Sequence, residues 1–157
     1  RASRPIIGLG PIQPSLARRR DGTIVAFCRD SGPPPFRVMA SLSRDNGETW
    51  SAALDTTLPN PGSSLEVTVL RDRRWLIVYN DSTQSRDSLT VALSTDEGKT
   101  WPLKRRLEPQ GDGATSFSYP SVIQSADGAV HITYTCKGPR GGRIRHGILQ
   151  PAQLRAE

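Results

Sequence analysis

A chain of 157 residues with 14 Gly, 13 Pro and a formal net charge of +6 is long enough to bury one core, but it turns too often for a bundle of long helices. No apolar run approaches the roughly 20 residues that span a bilayer as a helix, so no membrane association is expected. Cys28 and Cys136 lie outside any Cys-x-x-Cys pattern, and His131 and His146 stand alone; no metal or cofactor is expected, and a disulfide between the cysteines stays open.

Residues 1–10 read as an entry strand or arm. Gln13 to Gly22 is a short strand running into an Asp-Gly turn, and Thr23 to Arg29, rich in β formers, is a second strand. A Pro-rich loop, Gly32 to Pro35, leads to a third strand, Arg37 to Ser43, and Ser51 to Thr57 makes a fourth. The order then returns. Ser64 to Asp72, Arg74 to Asn80 and Ser88 to Ser94 are three strands, and Pro102 to Leu107 is the fourth. A third unit runs from Tyr119 to an Asp127-Gly128 turn, through Ala129 to Thr135, and ends on Arg143 to Leu149. The basic clusters around Arg18 to Arg20, Arg71 to Arg74 and Lys104 to Arg106 fall at turns between these runs. They read as solvated turns rather than a nucleic-acid surface, and an anionic small ligand is the more specific use of the surplus charge.

Between the third and fourth strands of the first two units stands one pattern, Ser-x-Asp-x-Gly-x-Thr-Trp. It covers Ser43 to Trp50 and Ser94 to Trp101, 51 residues apart. Asp accepts backbone N–H bonds, Gly tolerates positive φ, and Trp covers the turn and packs on the sheet. A period near 50 residues with four antiparallel strands per unit predicts an all-β fold of propeller blades, with units at about 11–59, 60–113 and 114–150. The third unit lacks the pattern, as terminal repeats do.

Registering the units on Asp21, Asp72 and Asp127 gives spacings of 51 and 55 residues. Gln13, Ser64 and Tyr119 then share one position, Arg29, Asn80 and Thr135 a second, and Cys28, Tyr79 and Tyr134 a third, expected to be buried or half-buried. The first strand of a blade lines the central channel, so Gln13, Ser64 and Tyr119 are expected to converge near the axis, with Arg29 one strand outward.

The two boxes, the strand order and the segments Gln13-Pro-Ser, Leu58 to Pro61, Leu76 to Asn80, Leu89 to Ser94 and Tyr119 to Ile123 resemble the sialidase (neuraminidase) superfamily, closest to its BNR-repeat, Asp-box branch. The resemblance covers essentially the whole chain and implies about three blades, the C-terminal half, of a six-bladed propeller. Sialidases hold the sialic acid carboxylate with three arginines, and their nucleophile is a Tyr activated by a Glu. A neutral phenol is not repelled by the carboxylate on the anomeric carbon, but it needs a base to become reactive. A planar guanidinium fork suits that carboxylate.

On this resemblance Arg29 and Arg86 match the second and third arginines and Tyr119 the nucleophile. The activating Glu falls at Gln13, which cannot take a proton. Glu66, two residues beyond Ser64, is the substitute base or an acidic ligand contact. The first arginine and the catalytic Asp would lie in earlier blades, so the isolated chain is expected to be inactive. Two functions follow as expectations: a glycoside hydrolase recognising a terminal anionic sugar such as sialic acid, or a non-catalytic carbohydrate-binding or scaffold propeller. The family implies a secreted or periplasmic location. With no visible leader and no initiating Met, the chain reads as a mature or trimmed piece. Three blades leave two open faces: either the chain is a fragment of a longer protein, or copies associate, two of them completing six blades.

Overall fold

Alternation of apolar and polar residues between turn signals folds the chain into three antiparallel sheets. The computed structural model describes residues 2–111 and 113–154. The first sheet runs in the order β1 (Pro11–Arg18), β2 (Ile24–Asp30), β3 (Arg37–Ser43), β4 (Leu54–Pro59). The second repeats it with β5 (Glu66–Val69), β6 (Trp75–Tyr79), β7 (Leu89–Ser94) and β8 (Leu103–Glu108). The third has three strands, β9 (Ser116–Gln124), β10 (Val130–Gly138) and β11 (Gly141–Leu149), followed by a short 3₁₀ turn at Pro151–Gln153. These are propeller blades, and their inner strands follow in succession, β1 beside β5 and β5 beside β9. Among the described residues no helix is long and apolar enough to cross a membrane.

The blades stack through their faces. Phe27 of the first blade meets Trp75 and Trp101 of the second edge-on, with ring centroids 6.2 and 6.0 Å apart. Leu76, Val78 and Val91 turn the other way, into one cluster with Phe117, Ile132 and Tyr134 of the third blade. Every residue of β6 and β7 is buried in consequence. Each large apolar side chain so enclosed contributes about 1.5–3 kcal/mol.

The boxes are the turns between β3 and β4 and between β7 and β8. In the first, Asp45 accepts the Ser43 hydroxyl (2.8 Å) and the N–H and hydroxyl of Thr49 (2.9 and 2.5 Å), while Ser43 Oγ accepts the Gly47 N–H at 2.8 Å. Asp96 repeats this with Ser94 and Thr100 at 2.6–2.8 Å. Trp101 is buried between blades, whereas Trp50 is half-buried on the open side of the first blade. The second box also docks on the first blade: the Arg20 N–H and Arg19 Nε donate to Glu97.

These bonds hold both carboxyls at about 2, the Thr49 hydroxyl leading at Asp45; at Asp96 burial opposes and the Thr100 and Ser94 bonds prevail. A carboxylate depressed in the folded state stabilises the fold above its unfolded pKa and loses that stabilisation as pH falls through the folded value. Stability is therefore expected to drop between about pH 4 and about pH 2. Denaturant midpoints should show it, and the double variant Asp45→Asn, Asp96→Asn should be less stable at neutral pH yet flatter across that window. Parallel pH profiles for the two proteins would contradict this origin.

Some boundaries depart from expectation. Of the strand or arm expected at the start, residues 2–10 form the arm; they cross the outer face of the first blade, where Ile7 O accepts the Ala53 N–H (2.8 Å) and Gly10 O accepts the N–H and hydroxyl of Ser31. Ile6 there covers Ala26, Cys28, Met39 and Ala53. The fourth strand starts at Leu54, not Ser51, because Ser51 bonds through its N–H and hydroxyl to Leu42 within the turn. β5 is shorter than Ser64 to Asp72, because Leu70 and Arg74 already close the next turn. Cys28 and Cys136 are buried free thiols, so no disulfide forms, and burial pushes the Cys28 thiol up to about 11.

Candidate functional site

Serine hydroxyls bridge the inner strands of successive blades. Ser15 Oγ accepts the Val67 N–H at 2.9 Å, joining β1 to β5. Ser64 Oγ accepts the Tyr119 N–H at 2.8 Å, joining the start of the second blade to β9. Gln13 and Tyr119 are alike in a further way. Each precedes a proline, each takes a left-handed backbone (φ 49° and 53°), and each lies where the strand pairing shifts register. A left-handed non-glycine residue costs about 1–2 kcal/mol, and such strain gathers at functional sites. The bulge turns Tyr119 outward, leaving it 55% exposed.

Arg29 is the next-to-last residue of β2 and its Nη1 donates to Gln13 Oε1 at 3.0 Å. Its Nε is buried without a partner among the described residues. Arg86, on the β6–β7 loop, reaches back toward the first blade: its Nη2 donates to Gly62 O at 2.6 Å. Gly62 is left-handed (φ 69°) and lies against the Asp30 carbonyl, next to Arg29. The turn that presents Gly62 is closed by Asn60, whose amide exchanges two 2.9 Å bonds with the Ser63 backbone. Residues 60–64 thus hold Arg86 through Gly62 O, orient Tyr119 through Ser64 Oγ, and abut the strand end bearing Arg29.

The Arg86 loop is pinned from below. Asn80, with 0% exposure, donates through Nδ2 to Ser88 O (2.6 Å), Phe117 O (3.2 Å) and Arg86 O (3.5 Å), and the Phe117 N–H donates to Arg86 O at 2.7 Å. One buried amide therefore ties the Arg86 loop to the strand carrying Tyr119.

Glu66 is half-buried on β5; burial pushes its carboxyl above the ordinary range and the Ser15 hydroxyl of the first blade pulls it back. Among the described residues the Tyr119 hydroxyl has no hydrogen-bond partner, so Glu66 and Tyr119 are not hydrogen-bonded to each other. A Tyr–Glu pair does occur elsewhere: Tyr134 donates to Glu108 at 2.5 Å, and Glu108 pairs with Arg145 at 2.7 Å. Tyr134 is buried between blades, and burial raises its hydroxyl well above the tyrosine range, so it is a strap and not a nucleophile.

Gln13, Ser64, Tyr119, Arg29 and Arg86 were marked by register and resemblance. Ser15, Gly62, Asn60 and Asn80 were not marked as site residues. Asn80 carried a signal, since it shares the register position of Arg29. His131 and His146 are not solitary in space; they stack on β10 and β11. Among the described residues no group of three or more His, Cys, Asp or Glu is arranged around a metal ion.

A family model described as a BNR repeat-like domain matches residues 2–132. A sialidase of Micromonospora viridifaciens is 25% identical over 138 residues, covering 82% of this chain and 20% of that protein. A Dyadobacter fermentans protein superposes with a TM-score of 0.77 at 22% identity, over 98% of this chain and 42% of its own. The intramolecular trans-sialidase of Ruminococcus gnavus, solved with oseltamivir carboxylate, superposes with a TM-score of 0.73 at 15% identity, over 92% of this chain and 33% of its own. The chain thus spans less than half the length of each.

Proposed function

Because the chain belongs to the BNR repeat-like domain family and is related to sialidase-like glycoside hydrolases, we propose that it contributes the carboxylate-binding side of a site for a terminal anionic sugar such as sialic acid. One observation carries this reading: the loop of residues 60–64 bonds to Arg86 and to the Tyr119 backbone and abuts the strand end bearing Arg29. Two guanidinium groups and a phenol are the groups that a carboxylated sugar ring needs.

In this reading Arg29 and Arg86 bind the carboxylate and Gln13 keeps the Arg29 guanidinium in place. Ser64 fixes the backbone that presents Tyr119, the nucleophile. Glu66, whose carboxyl takes a proton more readily than usual, is the base; a movement of its side chain or a bridging water must connect it to the phenol. The neutral amide of Gln13 in the activating position favours a second reading, a propeller that binds the sugar without cleaving it.

Calorimetric titration with sialic acid tests the binding. Arg29→Ala and Arg86→Ala should each weaken affinity roughly 10- to 100-fold, the worth of a charge-assisted hydrogen bond, while a neutral hexose should not bind. Affinity for sialic acid unchanged in both variants rejects the site. Release of a fluorogenic aglycone that Tyr119→Phe abolishes supports the hydrolase; sugar binding with no release supports the second reading.

Closure of the ring by a second copy belongs with this proposal. Ile123, Ile144 and Ile148 are 59–70% exposed on the lateral face of the third blade. Light scattering should find a particle of twice 17.1 kDa, and a stable monomer at every concentration removes self-association.

A further inference from the structure

We propose that His131 and His146 form a binding site for a divalent transition-metal ion of the imidazole-preferring class, zinc or copper, on the lateral face of the third blade. The proposal is independent of the sugar site.

The sheet register brings the pair together. His131 lies opposite Ile148 and Thr133 opposite His146, so the two imidazoles are diagonal neighbours on one face of β10 and β11. Their rings are within 8° of parallel, and His131 Nδ1 is 3.1 Å from His146 Nε2. Two metal–nitrogen bonds of about 2.0–2.1 Å, at the angles of tetrahedral or octahedral coordination, hold their nitrogens roughly 2.9–3.4 Å apart. The observed spacing falls within that range, but with ring centroids 5.3 Å apart the two nitrogens face each other directly, so both rings must turn to converge on one ion.

The tautomer is fixed from behind. Ser125 Oγ lies 2.5 Å from Asp127 Oδ1 and 3.0 Å from Ala129 O, and both are pure acceptors, so the serine proton is already committed. Ser125 Oγ can then only accept from His131, 3.1 Å away, which places the imidazole proton on Nε2 and a bare lone pair on Nδ1. That lone pair accepts the Nε2–H of His146 at 3.1 Å, and a bound ion takes the place of that proton. The Ser125 hydroxyl and Ala129 N–H hold the Asp127 carboxyl below the usual carboxylate range. The run Asp127–Ser125–His131 is thus the outer-shell arrangement that orients and strengthens a ligating histidine.

These are the positions that face the next blade. By register, His131 stands where the first two blades place Val25 and Leu76, and His146 where they place Ala40 and Val91. Those residues pack against the next blade; here imidazoles line an open concavity of about 560 Å³ with Ser121, Ile123, Ser125 and Thr133. No third His, Cys, Asp or Glu joins them among the described residues, so water or a small anion completes the coordination.

The chain has two histidines, which makes the test clean. Zn²⁺ is titrated into the chelator-free protein by calorimetry while the imidazole ring protons are followed by NMR. One ion should bind per chain, shifting both rings together; Cu²⁺ should give an electron-spin signature of two imidazole nitrogens. His131→Ala and His146→Ala should each abolish saturable binding. Ser125→Ala should weaken it roughly 10- to 100-fold, with circular dichroism confirming the fold. A second copy stacked on this face would enclose the pair, so the titration is made at concentrations where light scattering finds the monomer. No saturation in the parent chain, or undiminished binding in His146→Ala, overturns the site.

Discussion

Gly98→Ala is expected to destabilise the protein by about 2–5 kcal/mol, while Gly47→Ala, the same change in the other box, should cost only about 1–2 kcal/mol. Both glycines are left-handed, with φ of 82° and 88°, so both substitutions carry the same backbone strain. They differ in what a Cβ would meet. At Gly98 it would fall 2.8 Å from the Trp75 ring and 2.9 Å from Phe27, inside the aromatic contact that joins two blades. At Gly47 the nearest atoms are 3.9 and 4.0 Å away, on Trp50 and Ile24. Relief requires moving rings locked between sheets, since Trp75 is 1% exposed. Urea midpoints of the two variants measure the difference. Equal shifts would mean that the second box is not wedged between blades as described.

Asn80→Asp should be the most disruptive isosteric change near the site, costing ~4 kcal/mol or more at neutral pH. The side chain keeps its shape, but an N–H₂ that donates to three carbonyls becomes a carboxylate facing Ser88 O, Phe117 O and Arg86 O. It would be fully buried among acceptors with no cation in the described contacts. Burial and the carbonyls raise the folded pKa of the introduced carboxyl above its unfolded value of about 3.9. The carboxyl is therefore protonated in both states below about pH 4, where the charge penalty is absent, and the penalty grows as pH rises through the folded pKa. Stability relative to the parent, measured at each pH, should recover on acidification. A pH-independent loss would assign the effect to packing instead. Sugar affinity should fall alongside stability, because the same amide positions the Arg86 loop.

How far these features were legible depends on whether their causes are local. The boxes were, since Ser, Asp, Gly and Thr satisfy one another within a few residues, and the turns at Asp21, Asp72 and Asp127 gave the register of the three units. The shared position of Gln13 and Tyr119 followed from that register, and their matching left-handed backbones agree with it. The bridges from Ser15 to Val67, Ser64 to Tyr119 and Arg86 to Gly62 were not legible, because each joins residues 24 to 55 positions apart through blade stacking that no single repeat encodes. The histidine pair was missed for a simpler reason. Its partners become diagonal neighbours only once the tight turn between Gly138 and Gly141 sets the pairing of β10 with β11.

The complete burial of β6 and β7 bears on how the molecule comes apart. Three units coupled only to their neighbours behave as a short linear chain of interactions, with two ends and one middle. Either outer blade can open by breaking one interface, but the central blade opens only if both break. Amides of residues 75–79 and 89–94 should therefore exchange with solvent only through global unfolding, while those of β1 and β11 report partial openings at lower free energy. The keystone of the assembly is the blade that bears Asn80 and Arg86, so the part of the candidate site on the second blade inherits the slowest motions of the whole chain.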